Sequence, residues 1–147
     1  MLQPKDDVVN WAAFAQTRAI IGAEFGRLLS YYRDDAAKSI VAVEQAFIAR
    51  DAVAMVRPAH TLKGDSLQFG AEAIGKLSEK IEHAARQCVE DRSAPDDLGA
   101  DVPRLRPLLI ETLRLFEREV AADAARLARR PGAPGAVAAR GFGRKGA

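Results

Sequence analysis

The chain has 147 residues, of which 48% are hydrophobic and 29% are charged. This composition predicts one soluble globular domain and excludes an intrinsically disordered chain. The 22 basic and 20 acidic residues leave a net charge of +2, but six of the basic residues follow Asp123, so the remainder carries about −4. The basic excess is therefore a property of the C-terminal tail, and it is no argument for nucleic-acid binding by the domain.

Three further features bear on the compartment. A single cysteine, Cys88, excludes an internal disulfide and fits a reducing environment. No apolar run approaches the roughly 18 residues that cross a membrane. The first seven residues lack the apolar core of a secretory signal. We therefore expect a cytoplasmic protein.

Helical periodicity dominates the chain, and strand-type alternation is absent. Helices are predicted over residues 8–21, 23–32, 36–50, 52–69 and 71–90, followed by a last one from Leu105 to about Val120. Asp34 and Asp35 are predicted to cap the third helix, and Asp51 the fourth. The turn-forming residues between 92 and 103 predict a loop. The pattern indicates an all-α protein, an antiparallel four-helix bundle with N-terminal capping helices over residues 1–130. Residues 131–147 form a basic Gly/Ala/Pro/Arg-rich tail that we expect to be disordered.

The predicted helix over 52–69 has two distinct faces at about 100° per residue. The face expected to enter the bundle carries Met55, Ala59, Leu62, Ser66 and Phe69. The opposite face carries His60, Lys63, Gly64 and Leu67, joined by Val53 and Val56. His60 is therefore predicted to point away from the core.

That outward face has two features that a solvated surface does not need. Gly64 lies one turn beyond His60 in mid-helix, where glycine costs about 1 kcal/mol relative to alanine, and it lowers the surface beside the imidazole. Lys63 places a cation where it can hold an anionic group near the ring. Val53, Val56 and Leu67 add an apolar rim. The face is suited to close approach by a partner.

The residues around His60 form a recognisable motif. Residues 59–66 read Ala-His-Thr-Leu-Lys-Gly-Asp-Ser, Gly70-Ala71 follow at the start of the next helix, and Leu77 and Ile81-Glu82 continue the pattern. This resembles the signature of histidine phosphotransfer (HPt) domains, over roughly residues 8–120. The resemblance implies a phosphorelay carrier and not an autonomous kinase.

The resemblance also implies individual roles. His60 matches the phosphorylated histidine, Lys63 the lysine that stabilises the phosphoryl group, and Gly64 the glycine that leaves room for the partner. Glu82 matches a position whose Gln or Glu orients the imidazole through its other nitrogen. The partner-binding surface is predicted to comprise Val53, Val56, Arg57 and Leu67.

The expected partners are the receiver domain of a hybrid sensor histidine kinase and a response regulator. The phosphoryl group would pass between their aspartates through His60. Mg²⁺ would come from the receiver, and the chain itself is expected to bind no cofactor or metal. Nucleic acid and membrane are not expected partners, and the protein is expected to be a monomer.

Two residues depart from the family pattern. Pro58 lies inside the predicted helix, where it removes a backbone donor and predicts a kink or a fresh helix start near Arg57. Asp65 adds a negative charge near the site. Neither replaces a motif residue, so both bear on the choice of partner more than on the chemistry.

Alternatives remain for several residues and for the whole chain. Taken alone, His60, Lys63 and Glu82 could be ordinary solvated side chains, and Gly64 a packing glycine. His83 is interpreted as a surface residue and Cys88 as a small apolar filler. The chain could also be an adaptor that binds receivers without phosphate, although the intact His60, Lys63 and Gly64 set argues against this. A further alternative is a nucleic-acid or membrane-surface binder acting through the basic tail.

Overall fold

A computed structural model of the chain describes residues 8–129. The helices in this range are α1 (Trp11–Ile21), α2 (Phe25–Ile48), α3 (Ala52–Gln68), α4 (Glu72–Asp91) and α5 (Leu105–Arg129). One turn of 3-10 helix, Gly22–Glu24, links α1 to α2, and two more, Asp96–Gly99 and Val102–Arg104, interrupt the predicted loop before α5. Residues 8–129 contain no strand, which confirms the all-α helical bundle with four long helices, α2 to α5.

The described residues divide into two compact units, the first ending at Leu113 and the second beginning at Arg114. The first unit holds α1 to α4 and the start of α5, and its core is formed mainly where α3 packs against α4 and α2. Within the second unit, Arg126 forms ion pairs with Glu119 and Asp123 of the same helix. A domain over 1–130 and a disordered tail over 131–147 stay a prediction, because residues 130–147 lie outside the described part of the chain.

Helix α2 corrects the sequence interpretation. Two helices over 23–32 and 36–50, separated by caps at Asp34 and Asp35, are predicted, and this prediction is wrong because α2 is continuous. Its buried stripe runs through the aspartates and comprises Phe25, Tyr32, Ala36, Ile40, Val43 and Ala46. An aspartate in a helix interior costs at most about 0.7 kcal/mol, whereas burying a large apolar side chain contributes about 1.5–3 kcal/mol. The two exposed aspartates therefore do not end the helix.

Helix α3 begins where the sequence predicts. The Ala54 N–H donates to the Asp51 carboxylate over 3.1 Å, which makes Asp51 the N-cap. The predicted core stripe of α3 is buried throughout: Met55, Ala59, Leu62, Ser66 and Phe69. Pro58 lies inside the helix, and no fresh start occurs near Arg57. Buried residues on both sides of the proline, Ala52 and Met55 before it and Ala59 after it, hold this turn in the bundle despite the lost donor.

The turn between α3 and α4 anchors α1. Gly70 has φ +81°, and a Cβ there would lie 2.5 Å from the carbonyl oxygen of Asn10, so the position requires glycine. The Asn10 N–H donates to the Gly70 carbonyl over 2.8 Å. The Asn10 side chain accepts from the Ala13 N–H and caps α1, which is why α1 begins at Trp11 and not at Val8. The turn that places α4 beside α3 is thus also held by its contact with the residue that precedes α1.

Candidate functional site

His60 lies on the outer face of α3. Its side chain is 60% exposed, and its Nδ1 lies 2.9 Å from Oε2 of Glu82 on α4. The Glu82 side chain is only 4% exposed, although it is interpreted from sequence as lying at the edge of the apolar stripe. The close packing of α3 on α4 brings the two residues together across 22 positions of sequence. An exposed ring is therefore fixed at one nitrogen by a buried carboxylate.

Two cations also contact Glu82. The Lys63 Nζ lies 2.9 Å from Oε1 in an ion pair. The Arg86 guanidinium donates twice to Oε2, from Nε over 3.0 Å and from Nη2 over 2.9 Å. Each carboxylate oxygen thus has its own cation, and Oε2 also faces the imidazole. The arrangement supplies the charged partners that a buried carboxylate requires.

These contacts define the protonation of the pair. Burial raises the pKa of Glu82, but the Lys63 ammonium, the Arg86 guanidinium and the His60 ring outweigh it and lower that pKa to about 2. An ionised carboxylate can only accept hydrogen bonds, so in neutral imidazole the proton is on Nδ1. The second ring nitrogen, Nε2, then keeps its lone pair and is nucleophilic.

Gly64 gives open space one turn beyond His60. A Cβ built at Gly64 would meet no atom within 4 Å, so packing within the chain does not explain the glycine. Gly75 on α4 is the opposite case, since a Cβ there would collide with Cδ2 of Leu67. The absence of a side chain at Gly64 therefore leaves space beside His60. A methyl group there would contact a bound partner before it contacted any other residue of the chain.

A groove of about 470 Å³ lies between the outer faces of α3 and α4. Three of the four predicted partner-binding residues, Val53, Val56 and Arg57, line it from α3, and α4 contributes Arg86, Val89 and Glu90. Leu67, the fourth, is exposed but is not among the groove-lining residues, and it packs over Gly75. The predicted partner-binding residues thus lie in two places, three in the groove and Leu67 outside it.

Sequence reasoning missed Arg86. The signal that could have found it is the spacing of Glu82 and Arg86, since residues four apart lie side by side on a helix. His83 is exposed, as expected. Cys88 is half-buried, and its thiol lies 3.5 Å from the Ala94 carbonyl. Across residues 8–129, no group of three His, Cys, Asp or Glu side chains is placed to hold a metal ion.

The fold and the site define a class of protein, a small helical bundle that presents a carboxylate-held histidine on its surface. The family model of the Hpt domain matches residues 27–115, more than half of the chain, and the protein belongs to the Hpt domain family. No curated protein and no solved structure matched the chain. None of the described helices is both long and apolar enough for a membrane span.

Membership of the family establishes the general activity. Hpt domains carry phosphoryl groups on histidine in the phosphorelays of two-component signalling, and they are phosphocarriers and not autonomous kinases. They interact with receiver domains in those relays.

Proposed function

We propose that Nε2 of His60 accepts a phosphoryl group from the aspartyl phosphate of one receiver domain and delivers it to an aspartate of a second. The observation that carries this proposal is the pairing of the exposed His60 ring with the ionised Glu82 carboxylate at 2.9 Å. The other histidine of the chain, His83, follows Glu82 on α4 and has no such contact with that carboxylate among the described residues. His60 is therefore the residue whose environment favours a nucleophilic nitrogen.

The proposed transfer is a displacement at phosphorus. The Nε2 lone pair attacks phosphorus, the N–P bond forms, and the bond between phosphorus and the donor's carboxylate oxygen breaks, with its electron pair leaving on the carboxylate. The Nδ1 proton stays on the ring, which becomes positively charged and faces the Glu82 carboxylate. The reverse step, with a second receiver's carboxylate as the nucleophile, restores the starting imidazole. No proton needs to leave the site in either direction.

The surface around His60 supports a protein as the phosphoryl donor. Gly64 leaves the approach open, and Lys63 supplies a cation one turn from the ring. Val53, Val56 and Arg57 in the groove, with Leu67 beyond it, offer apolar area and charge for docking. We assign the two partners as the receiver of a hybrid sensor histidine kinase and a response regulator, with Mg²⁺ bound by the receiver. The carrier is proposed to act as a cytoplasmic monomer.

The direct test is phosphoryl transfer from a ³²P-labelled receiver domain to the wild type, His60→Gln and His83→Gln. The two variants are matched, because each removes one exposed imidazole. We expect acid-labile, base-stable label on the wild type and on His83→Gln, and none on His60→Gln.

The other outcomes are informative. Equal labelling of His60→Gln would refute the assignment of the site. If folded wild type took no label from a panel of receivers that bind it, the chain would be an adaptor that keeps the fold without the chemistry.

A further inference from the structure

Arg86 holds Glu82 in a way that neither other partner does. It donates two hydrogen bonds to the same oxygen that faces His60, Oε2. Because both donors lie on one rigid guanidinium, they fix the direction of the carboxylate as well as its charge. Arg86 lies on α4 with Glu82, four residues further on. The two hydrogen bonds therefore do not depend on the position of α3.

Lys63 is placed differently. Its side chain is 21% exposed, and its ammonium contacts Oε1, the carboxylate oxygen that does not face His60. A phosphoryl group on Nε2 would add about two negative charges close to Lys63. The ammonium would then be drawn from Oε1 towards the phosphoryl oxygens. A buried carboxylate that loses a cation becomes costly unless another cation remains.

We propose that Arg86 is a positioning residue, which keeps Glu82 ionised and aimed at Nδ1 of His60 while Lys63 moves to the phosphoryl group. This inference rests on the proposed function, since it assumes that His60 is the phosphorylated residue. In the resting state both cations stabilise Glu82. In the phosphorylated state Arg86 alone does so, and the protonated Nδ1 of the phosphorylated ring remains the other partner of Oε2.

Removal of Arg86 should change the His60 ring through Glu82. Among the described residues, the charged and titratable groups that face Glu82 are Lys63 and His60 from α3 and Arg86 from α4. Without Arg86, Oε2 has no cation beside it and no donor that fixes its direction, so it becomes a weaker acceptor for Nδ1–H. Removal of Arg86 should therefore weaken the preference of the His60 ring for Nδ1–H and slow transfer.

The experiment compares the full chain with Arg86→Gln, Arg86→Lys and the control Arg104→Gln. Arg104 is a matched control because it also pairs with a buried carboxylate, Asp101, on the surface of the same unit. Two readouts are taken: the transfer rate from a phosphorylated receiver at neutral pH, and the ¹⁵N shifts of the His60 ring, which report its tautomer without any phosphoryl transfer.

We expect Arg86→Gln to slow transfer about tenfold at neutral pH, the size of one lost charge-assisted hydrogen bond. Its His60 ring should lose the preference for Nδ1–H. Arg86→Lys should recover part of the rate and of the tautomer preference, and Arg104→Gln should match the wild type. An unchanged tautomer in Arg86→Gln would overturn the inference. If the wild type takes no label but the tautomer changes in Arg86→Gln, the proposed function fails while the positioning role stands.

Discussion

Two buried carboxylates occur among residues 8–129, Glu82 and Asp101, and each lies beside one lysine and one arginine. At Glu82 the contacts with Lys63 and Arg86 are 2.9 Å. At Asp101 those with Lys80 and Arg104 are 3.3 and 3.5 Å. Lys63 is 21% exposed, whereas Lys80 is 67% exposed.

The difference shows what turns a cluster of charges into a site. Lys80 and Arg104 reach Asp101 from exposed positions at 3.3 and 3.5 Å, and such cations contribute about 0–1 kcal/mol. Lys63 and Arg86 close tightly on a carboxylate that also holds an exposed imidazole. The Glu82 cluster therefore controls the state of another group, His60, whereas Asp101 contacts no imidazole among the described residues.

The largest expected effect is on stability in acid, measured on wild type and Glu82→Gln. The folded-state pKa of Glu82, about 2, lies below its ordinary value of 4.5. Its contribution to the free energy of unfolding is therefore fully present above pH 4.5 and is lost as the pH falls towards 2. We expect the stability difference between the two proteins to shrink by roughly 3 kcal/mol over that interval. Denaturant unfolding at pH 7, 4 and 2.5 measures it, and a constant difference would contradict the prediction.

The next effect is on transfer itself, with Glu82→Ala set against Asp101→Ala. Without Glu82 the His60 ring loses its fixed orientation and tautomer, and misplacement of a reacting group by about 1 Å can cost about 100-fold. We expect a fall of that size in the transfer rate for Glu82→Ala and almost none for Asp101→Ala.

Glu82→Gln provides the check on the last experiment. The amide oxygen can still accept from Nδ1–H, so this variant should lie between the wild type and Glu82→Ala. Equal losses in Glu82→Ala and Asp101→Ala would mean that the rate reports folding and not the site.

The sequence predicts some of these features and not others. The core stripe of α3 follows from its periodicity, and the motif around His60 identifies the exposed face. The continuity of α2 does not follow, because Asp34 and Asp35 suit either a cap or a helix surface, and burial of Tyr32 and Ala36 decides between them.

The contacts of Glu82 with Lys63 and Arg86 also cannot be predicted from the sequence. A glutamate beside an apolar stripe is ordinarily solvated, and the packing of α3 against α4 is what buries it. Once Glu82 is buried, Lys63 and Arg86 turn towards it. Sequence spacing allows these contacts, but only the tertiary structure requires them.

A smaller effect is expected from the two lysines. Lys63→Ala removes the cation that we expect to follow the phosphoryl group, and loss of one charge-assisted contact should slow transfer about tenfold. Lys80→Ala should leave the rate unchanged and alter stability by less than about 1 kcal/mol. Transfer rates from a fixed labelled receiver at several ionic strengths measure the effect of each variant on transfer. Denaturant unfolding measures the change in stability. A similar slowing in the two variants would indicate general electrostatic steering and would remove the distinction between the clusters.

The smallest effect concerns the glycine near each cluster, Gly64 and Gly99. A Cβ at Gly64 meets nothing within 4 Å, and one at Gly99 makes an ordinary contact of 3.6 Å with Phe47. Gly64→Ala should therefore raise the free energy of unfolding by about 0.5–1 kcal/mol, because mid-helix glycine is unfavourable. It should also slow transfer by a factor of roughly 5, since a methyl group forced into a packed contact costs about 1 kcal/mol or more. Gly99→Ala should leave transfer unchanged. If Gly64→Ala is more stable and yet transfers more slowly, the methyl group destabilises the complex with the partner and not the folded chain. Unchanged transfer in Gly64→Ala would show that no partner approaches His60 from this side.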